Sequence, residues 1–247
     1  MLTQEEIKKY AHMRRLKLQD QIWKDYLQDM LLYLLYRKMP KMVFGGGTCI
    51  WKMLRGDRFS EDIDAYHPGI QKDLPDYLEK ELSFLGVSCK ILKRKITSNM
   101  LFLKLALSFP SHPREITISI EILSDKPKEI IEATLYSPYP DIPTFEMVVL
   151  APERLLANKI SAIYGRNKPR DVHDLYLLLK SGAKIDMKLV RQKTENFGMK
   201  SFEKNIMKKR QDWKSLEPLL VTKLPSFDEE LEYILSSFAK YAGRSDS

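Results

Sequence analysis

Apolar residues recur at helical spacing along the first part of the chain, at Trp23, Leu27, Met30, Leu31, Leu34 and Leu35, and predict a helix with one buried face. Thr3 and Glu6 have the spacing of a capping box. Nothing between them and Lys38 breaks a helix, so one continuous helix is expected until Pro40 stops it. A short apolar run from Val43 then turns through Gly45-Gly46-Gly47-Thr48 into a helix over Cys49 to Leu54. Asp62-Ile63-Asp64 reads as a strand, and Pro75 to Leu85 as a helix stopped by Gly86. Val87 to Ile96 and Met100 to Phe109 read as neighbouring strands across a turn at Thr97-Ser98-Asn99. In the next strand Ile116, Ile118, Ile120 and Ile122 alternate with Thr117, Ser119 and Glu121, so one face is core and the other polar.

Pro138, Pro140 and Pro143 mark an irregular connection, which predicts a division into residues 1–143 and 144–247. Beyond it, Phe145 to Leu150 reads as a short buried strand. Pro152 opens a helix over Glu153 to Tyr164, and Asp171 to Lys180 forms another. The remainder is mostly helical and ends in an amphipathic helix through Leu231, Ile234, Leu235 and Phe238, with Arg244–Ser247 expected to fray. The expected class is therefore α/β (α+β), a mixed sheet flanked by helices, with a mainly helical C-terminal region.

Charge adds a direction. The net charge of +8 favours an anionic partner, a nucleic acid or a nucleotide, and Lys204, Lys208, Lys209, Arg210 and Lys214 lie close together. The basic residues Lys90, Lys93, Arg94 and Lys95 read better as a solvated strand face than as an RNA contact. Cys49 and Cys89 fit no zinc spacing and no disulfide framework. The first ten residues are polar and charged, unlike a signal peptide. No apolar run is long enough to span a bilayer. A cytoplasmic protein that does not engage the membrane is the expectation.

The chemistry gathers between Val43 and Tyr66. Consecutive glycines followed by Thr48 let backbone N–H groups approach an anion, and the helix that follows points its N-terminus at it. On a strand, Asp62 and Asp64 would share one face while Ile63 enters the core. Two hard oxygen ligands beside a phosphate cradle suit magnesium-assisted phosphoryl transfer. Lys159 lies inside the apolar stripe of its helix, where a lysine either snorkels outward or reaches an anion. Asp171 and Asp174 share a helix face, and first-turn capping could account for either alone.

Gly-Gly-Thr, the following RFSEDID and the distant KPRDVHDLYLLL together resemble the AbiEii/AbiGii-type toxin nucleotidyltransferases, within the DNA polymerase β-like nucleotidyltransferase superfamily. The resemblance reaches about Leu179 and is looser afterwards. It implies a nucleotidyltransferase fold and transfer of a nucleoside monophosphate from a nucleoside triphosphate to an acceptor hydroxyl, with release of pyrophosphate. The tRNA acceptor end is the implied target, and a separately encoded antitoxin the implied partner. It assigns Gly46, Gly47 and Thr48 to the β- and γ-phosphates, and Asp62, Asp64 and Glu121 to Mg²⁺. Arg58, Ser60 and Lys159 become candidate triphosphate contacts, Lys159 also a catalytic one, and Asp171 or Asp174 a catalytic or orienting group. Transfer to a protein or small molecule, and an inactive RNA- or partner-binding relative, are the alternatives.

Overall fold

The computed structural model describes residues 2–110 and 112–242 and divides into two compact units. The first comprises Met1–Met53 and Phe59–Val149, the second Leu54–Arg58 and Leu150–Ser247. Arg244–Ser247, expected to fray, lie outside the described residues.

In the first unit the capping box forms as expected. Thr3 Oγ1 accepts from the Glu6 N–H, and the Glu6 carboxylate accepts from the Thr3 N–H at 2.8 Å, opening α1 (Gln4–Ala11). The single helix expected to Lys38 is broken. After a 3₁₀ turn, Arg15 takes φ +61°, and α2 begins afresh at Gln19–Lys38. Three contacts favour the break: Ala11 and Leu16 are fully buried, and Arg14 turns back onto two carboxylates of α2. Helical periodicity cannot report that long-range attraction.

The sheet is built from β1 (Val43–Gly45), β2 (Ile63–His67), β3 (Ser88–Ile96), β4 (Met100–Phe109), β5 (His112–Ser124), β6 (Ile130–Leu135) and β7 (Phe145–Leu150). Its seven strands run in the order β3-β4-β5-β2-β1-β7-β6. Between β1 and β2 lies α3 (Gly46–Met53), and between β2 and β3 lies α4 (Leu74–Phe84). The β5 isoleucines are buried as their alternation requires, each removing roughly 1.5–3 kcal/mol worth of apolar surface from water. At one edge, β3 carries its lysines into solvent, where charged side chains discourage pairing with another chain. Pairing of β7 with β1 in parallel, Val43 opposite Val148, puts the change of unit at Val149/Leu150 and not at residue 143.

In the second unit, α5 (Pro152–Gly165) packs with α6 (Pro169–Lys180), α7 (Met187–Lys193) and α8 (Met199–Met207). A 3₁₀ segment over Arg210–Leu219 and a final helix α9 (Phe227–Ala242) complete it. Leu54–Arg58 belongs here because Arg58 forms a β-bridge with Leu220, and the Val221 N–H donates to the Asp57 carbonyl at 2.9 Å.

Candidate active site

Seven of the residues singled out in the sequence lie in the first unit (Gly46, Gly47, Thr48, Ser60, Asp62, Asp64 and Glu121) and four in the second (Arg58, Lys159, Asp171 and Asp174).

The chain leaves β1 and enters α3 at Gly46, whose φ of +70° lies in the left-handed region that favours glycine. A Cβ there would sit 1.9 Å from Asp64 Oδ2 and 2.7 Å from Asp64 Cγ. Glycine is thus required twice, by the backbone and by the carboxylate drawn against it. The first N–H groups of α3 have no partner within the helix, and their dipole end favours negative charge. Replacing Gly46 by alanine is expected to cost about 10²-fold in the rate of any reaction that uses the Asp64 carboxylate, because Asp64 must move by about an ångström to admit the methyl group. Single-turnover rates check this, and a rate within threefold of native would show the close approach to be dispensable.

Asp64 is the register partner of Glu121 across the parallel β2–β5 pair, and of Gly45 across the antiparallel β1–β2 pair. Residues in register on adjacent strands, roughly 4.8 Å apart, project to the same face. Asp62 departs from expectation. It lies in the bend one residue before β2, so strand periodicity does not orient it with Asp64. Among the described residues, no three His, Cys, Asp or Glu side chains gather into a ready-made metal site. Magnesium does not demand one, since it is commonly held by one or two carboxylates together with substrate phosphates. The Asp64–Glu121 pair, with a cradle at Gly46 that only glycine leaves open, fits that mode of binding.

Thr48 takes a different part from the one expected. Its side chain is fully buried, and Oγ1 donates to the Asp62 carbonyl. A hydroxyl has one proton, so Thr48 fastens α3 to the bend before β2 and has no proton left to donate to a phosphate. Ser60 is buried, and its carbonyl accepts from Gln28 Nε2 at 2.9 Å. Cys49 is no nucleophile: burial, then the negative charge of Asp64, pushes its thiol up.

The other end of α3 is held by a network that pattern reading missed. Asp25 and Asp29, both fully buried on α2, accept from Lys52 Nζ at 2.8 and 2.6 Å. Arg14 Nη1 lies 2.6 Å from Asp25 and 2.9 Å from Asp29. Trp51 Nε1 and the Tyr139 hydroxyl also donate to Asp25, at 3.0 and 2.9 Å, and the Ser137 hydroxyl donates to Asp29 at 2.8 Å. Burial alone would raise the Asp25 carboxyl, but Lys52 and then Arg14 hold it below the usual carboxylate range. The available signal was two aspartates four apart inside an otherwise buried helix.

In the second unit the candidate triphosphate contacts Arg58 and Lys159 are both engaged with carboxylates of α6. Arg58 is buried and grips Asp174 with two hydrogen bonds, at 2.8 and 2.9 Å. Lys159 Nζ lies 2.6 Å from Asp174 and 3.3 Å from Asp171, while Arg166 makes two bonds to Asp171 at 2.7 and 2.8 Å. Burial favours neutral carboxyls, but Arg58 and Lys159 hold Asp174 below its ordinary range, and Arg166 and Lys159 do the same for Asp171. These five residues fasten α5, α6 and the segment 54–58 within that unit.

His173 sits beside them, with Nδ1 2.6 Å from Glu230 and Nε2 2.8 Å from Asp57. Burial would lower it, but the bonds to Asp57 and Glu230 raise it to about 9. A raised folded value means that the stabilisation is complete below the unfolded value near 6.5 and is lost as pH climbs through about 9. Between those limits the native protein should lose on the order of 2 kcal/mol that a His173→Gln variant does not. Urea melts of both proteins across this range test it, and parallel pH profiles would exclude a charged His173.

Comparison with known proteins places this geometry. No curated protein matches the chain. The crystal structure of a candidate nucleotidyltransferase from Helicobacter pylori is similar, with 21% identity, a TM-score of 0.63, and coverage of 97% of this chain and 95% of that one. JHP933 from Helicobacter pylori is similar too, with 20% identity, a TM-score of 0.64, and coverage of 100% and 97%. At such identities these structures show a shared fold. Residues 31–237 match the family described as nucleotidyl transferase AbiEii toxin of type IV toxin–antitoxin systems, and since the match spans most of the chain, the protein belongs to that family of nucleotidyltransferases.

Proposed function

We propose that the protein transfers a nucleoside monophosphate from a nucleoside triphosphate to a hydroxyl of RNA, at the acceptor end of tRNA, with magnesium bound at Asp64 and Glu121 and assisted by Asp62. The observation that carries this reading is the close approach of Asp64 to Gly46 at the start of α3, with Glu121 in register beside Asp64. The backbone N–H groups at Gly46 and Gly47 hold the β- and γ-phosphates. The acceptor oxygen attacks the α-phosphorus, a new P–O bond forms, and the bond to the bridging oxygen breaks to release pyrophosphate. Glu121 accepts the proton of the attacking hydroxyl. Magnesium, when bound, supplies positive charge that favours departure of pyrophosphate.

Ser60 and the Thr48–Asp62 bond keep the bend before β2 in place. The net charge of +8 supports an RNA acceptor. The toxin–antitoxin family supports a cognate antitoxin as the protein partner.

The test is incubation of purified protein with Mg²⁺, each labelled nucleoside triphosphate in turn and total tRNA. Label in tRNA is expected, with one nucleotide preferred. Label on protein or on a small molecule would overturn the RNA acceptor. The absence of transfer with every triphosphate would overturn the reading as a whole.

A further inference from the structure

A cavity of about 670 Å³ opens in the second unit between the end of α5 and the end of α8. Tyr164, Gly165, Arg166, Asn167, Asn205 and Met207 line it together with the consecutive residues 208–211. Four of its ten lining residues are cations (Arg166, Lys208, Lys209 and Arg210), three are amides, and none is acidic. Lys208 and Arg210 spread into solvent as surface cations do, but Lys209 between them is only 2% exposed.

The partners of these cations show where charge is in excess. Arg166 and Arg210 each have a carboxylate, Asp171 and Asp228 respectively. Among the described residues, Lys208 and Lys209 have uncharged partners only. Lys208 Nζ donates to Asn205 Oδ1 at 3.0 Å, and Lys209 Nζ to the Ile163 carbonyl at 2.9 Å, near the C-terminal end of α5. An ammonium has three donors, so most of the Lys209 hydrogen-bonding capacity is unspent. Burial, and then the neighbouring Lys208, lower the Lys209 ammonium from its ordinary value by more than the charge of Asp171 raises it.

We infer that this cavity binds the phosphate of a nucleotide unit, with Lys208 and Lys209 as charge partners and Asn167, Asn205 and Gln211 as hydrogen-bonding groups around the sugar and base. Its volume exceeds what a lone phosphate fills and falls in the range of small-molecule sites. Absence of any lining carboxylate favours an anion, and although Asn167 Nδ2 donates to Asp212 and Asn205 Nδ2 to the Ser201 carbonyl, each amide nitrogen keeps a second N–H. The same chemistry is presented by a free nucleotide and by a stretch of RNA backbone. The inference rests on the second unit's own residues and does not depend on the catalytic reading of the first.

The experiment is equilibrium binding without Mg²⁺ or triphosphate, in the full chain carrying Asp64→Ala so that catalysis cannot interfere. The probes are AMP and a twelve-nucleotide RNA of mixed sequence. Lys208→Glu, on the exposed rim, and Lys209→Met, at the floor, are each expected to weaken binding roughly tenfold or more. Binding of AMP that both variants weaken would identify a free-nucleotide site, and binding of RNA alone with the same sensitivity would identify a backbone contact. The inference is overturned if neither probe binds, or if a folded Lys208→Glu variant binds both as tightly as its parent.

Discussion

Replacement of Asp64 by alanine should abolish nucleotide transfer while leaving the fold intact. The carboxylate stands where two constraints meet, in register with Glu121 on the neighbouring strand and against Gly46 at the start of α3. On the proposed reading, its removal takes away one of two strand-borne oxygen ligands for magnesium. Stabilisation of the departing pyrophosphate should fall by about 4 kcal/mol, roughly a 10³-fold drop in rate. Stability should change little, because the substitution removes a half-buried charge and inserts no bulk beside Gly46. The measurement is the rate of label transfer to tRNA alongside thermal unfolding. Native-like transfer would remove Asp64 from the site, and a loss of transfer accompanied by unfolding would trace the effect to structure.

The largest effect on stability is expected at Lys52. Its side chain is fully buried and bridges Asp25 and Asp29, with Arg14 as the other cation of the network. Lys52→Met keeps most of the volume and leaves two buried carboxylates facing a single guanidinium. Removing one partner from a buried ionic network costs about 3–5 kcal/mol, because the groups left behind are uncompensated. A Tm roughly 6–12 °C lower would report the smaller part of that range. The consequence reaches the site through α3, since Lys52 anchors the last turn of the helix whose first turn begins at Gly46. The triphosphate KM should therefore rise even at temperatures where the variant is folded, and Lys52→Arg should restore part of it. A stability change below 1 kcal/mol would mean that the network is not what holds α3.

Much of this architecture was legible in the chain because it rests on local rules. The isoleucine alternation of β5 and the capping box at Thr3 and Glu6 each depend on neighbours a few residues away, and so does the glycine turn into α3. By contrast, α2 is buried on nearly every side and not on the single face that its periodicity predicts. The polar face of β5 that carries Glu121 was within reach as well, but its register beside Asp64 was not, and only the family resemblance grouped the two residues. What could not be read were contacts between residues far apart in sequence. The break at Arg15 serves a carboxylate pair that begins ten residues later. Thr48 looked like a phosphate contact until the Asp62 carbonyl, fourteen residues on, took its proton. Arg58 and Lys159 read as candidate triphosphate contacts, and that Asp174 pairs with both, at a separation of 116 residues from Arg58, could not be read.

The sequence by itself determined the elements, the sheet's buried faces and the residue types able to hold phosphate and magnesium, because side-chain periodicity and backbone freedom act over a few residues. The tertiary structure alone decided which charges stay available. A charged group's role depends on its nearest opposite charge, and folding sets that neighbour. It tied Thr48, Arg58 and Lys159 to partners far along the chain, put Asp64 against Gly46, and gave Lys208 and Lys209, among the described residues, uncharged hydrogen-bond partners beside a cavity.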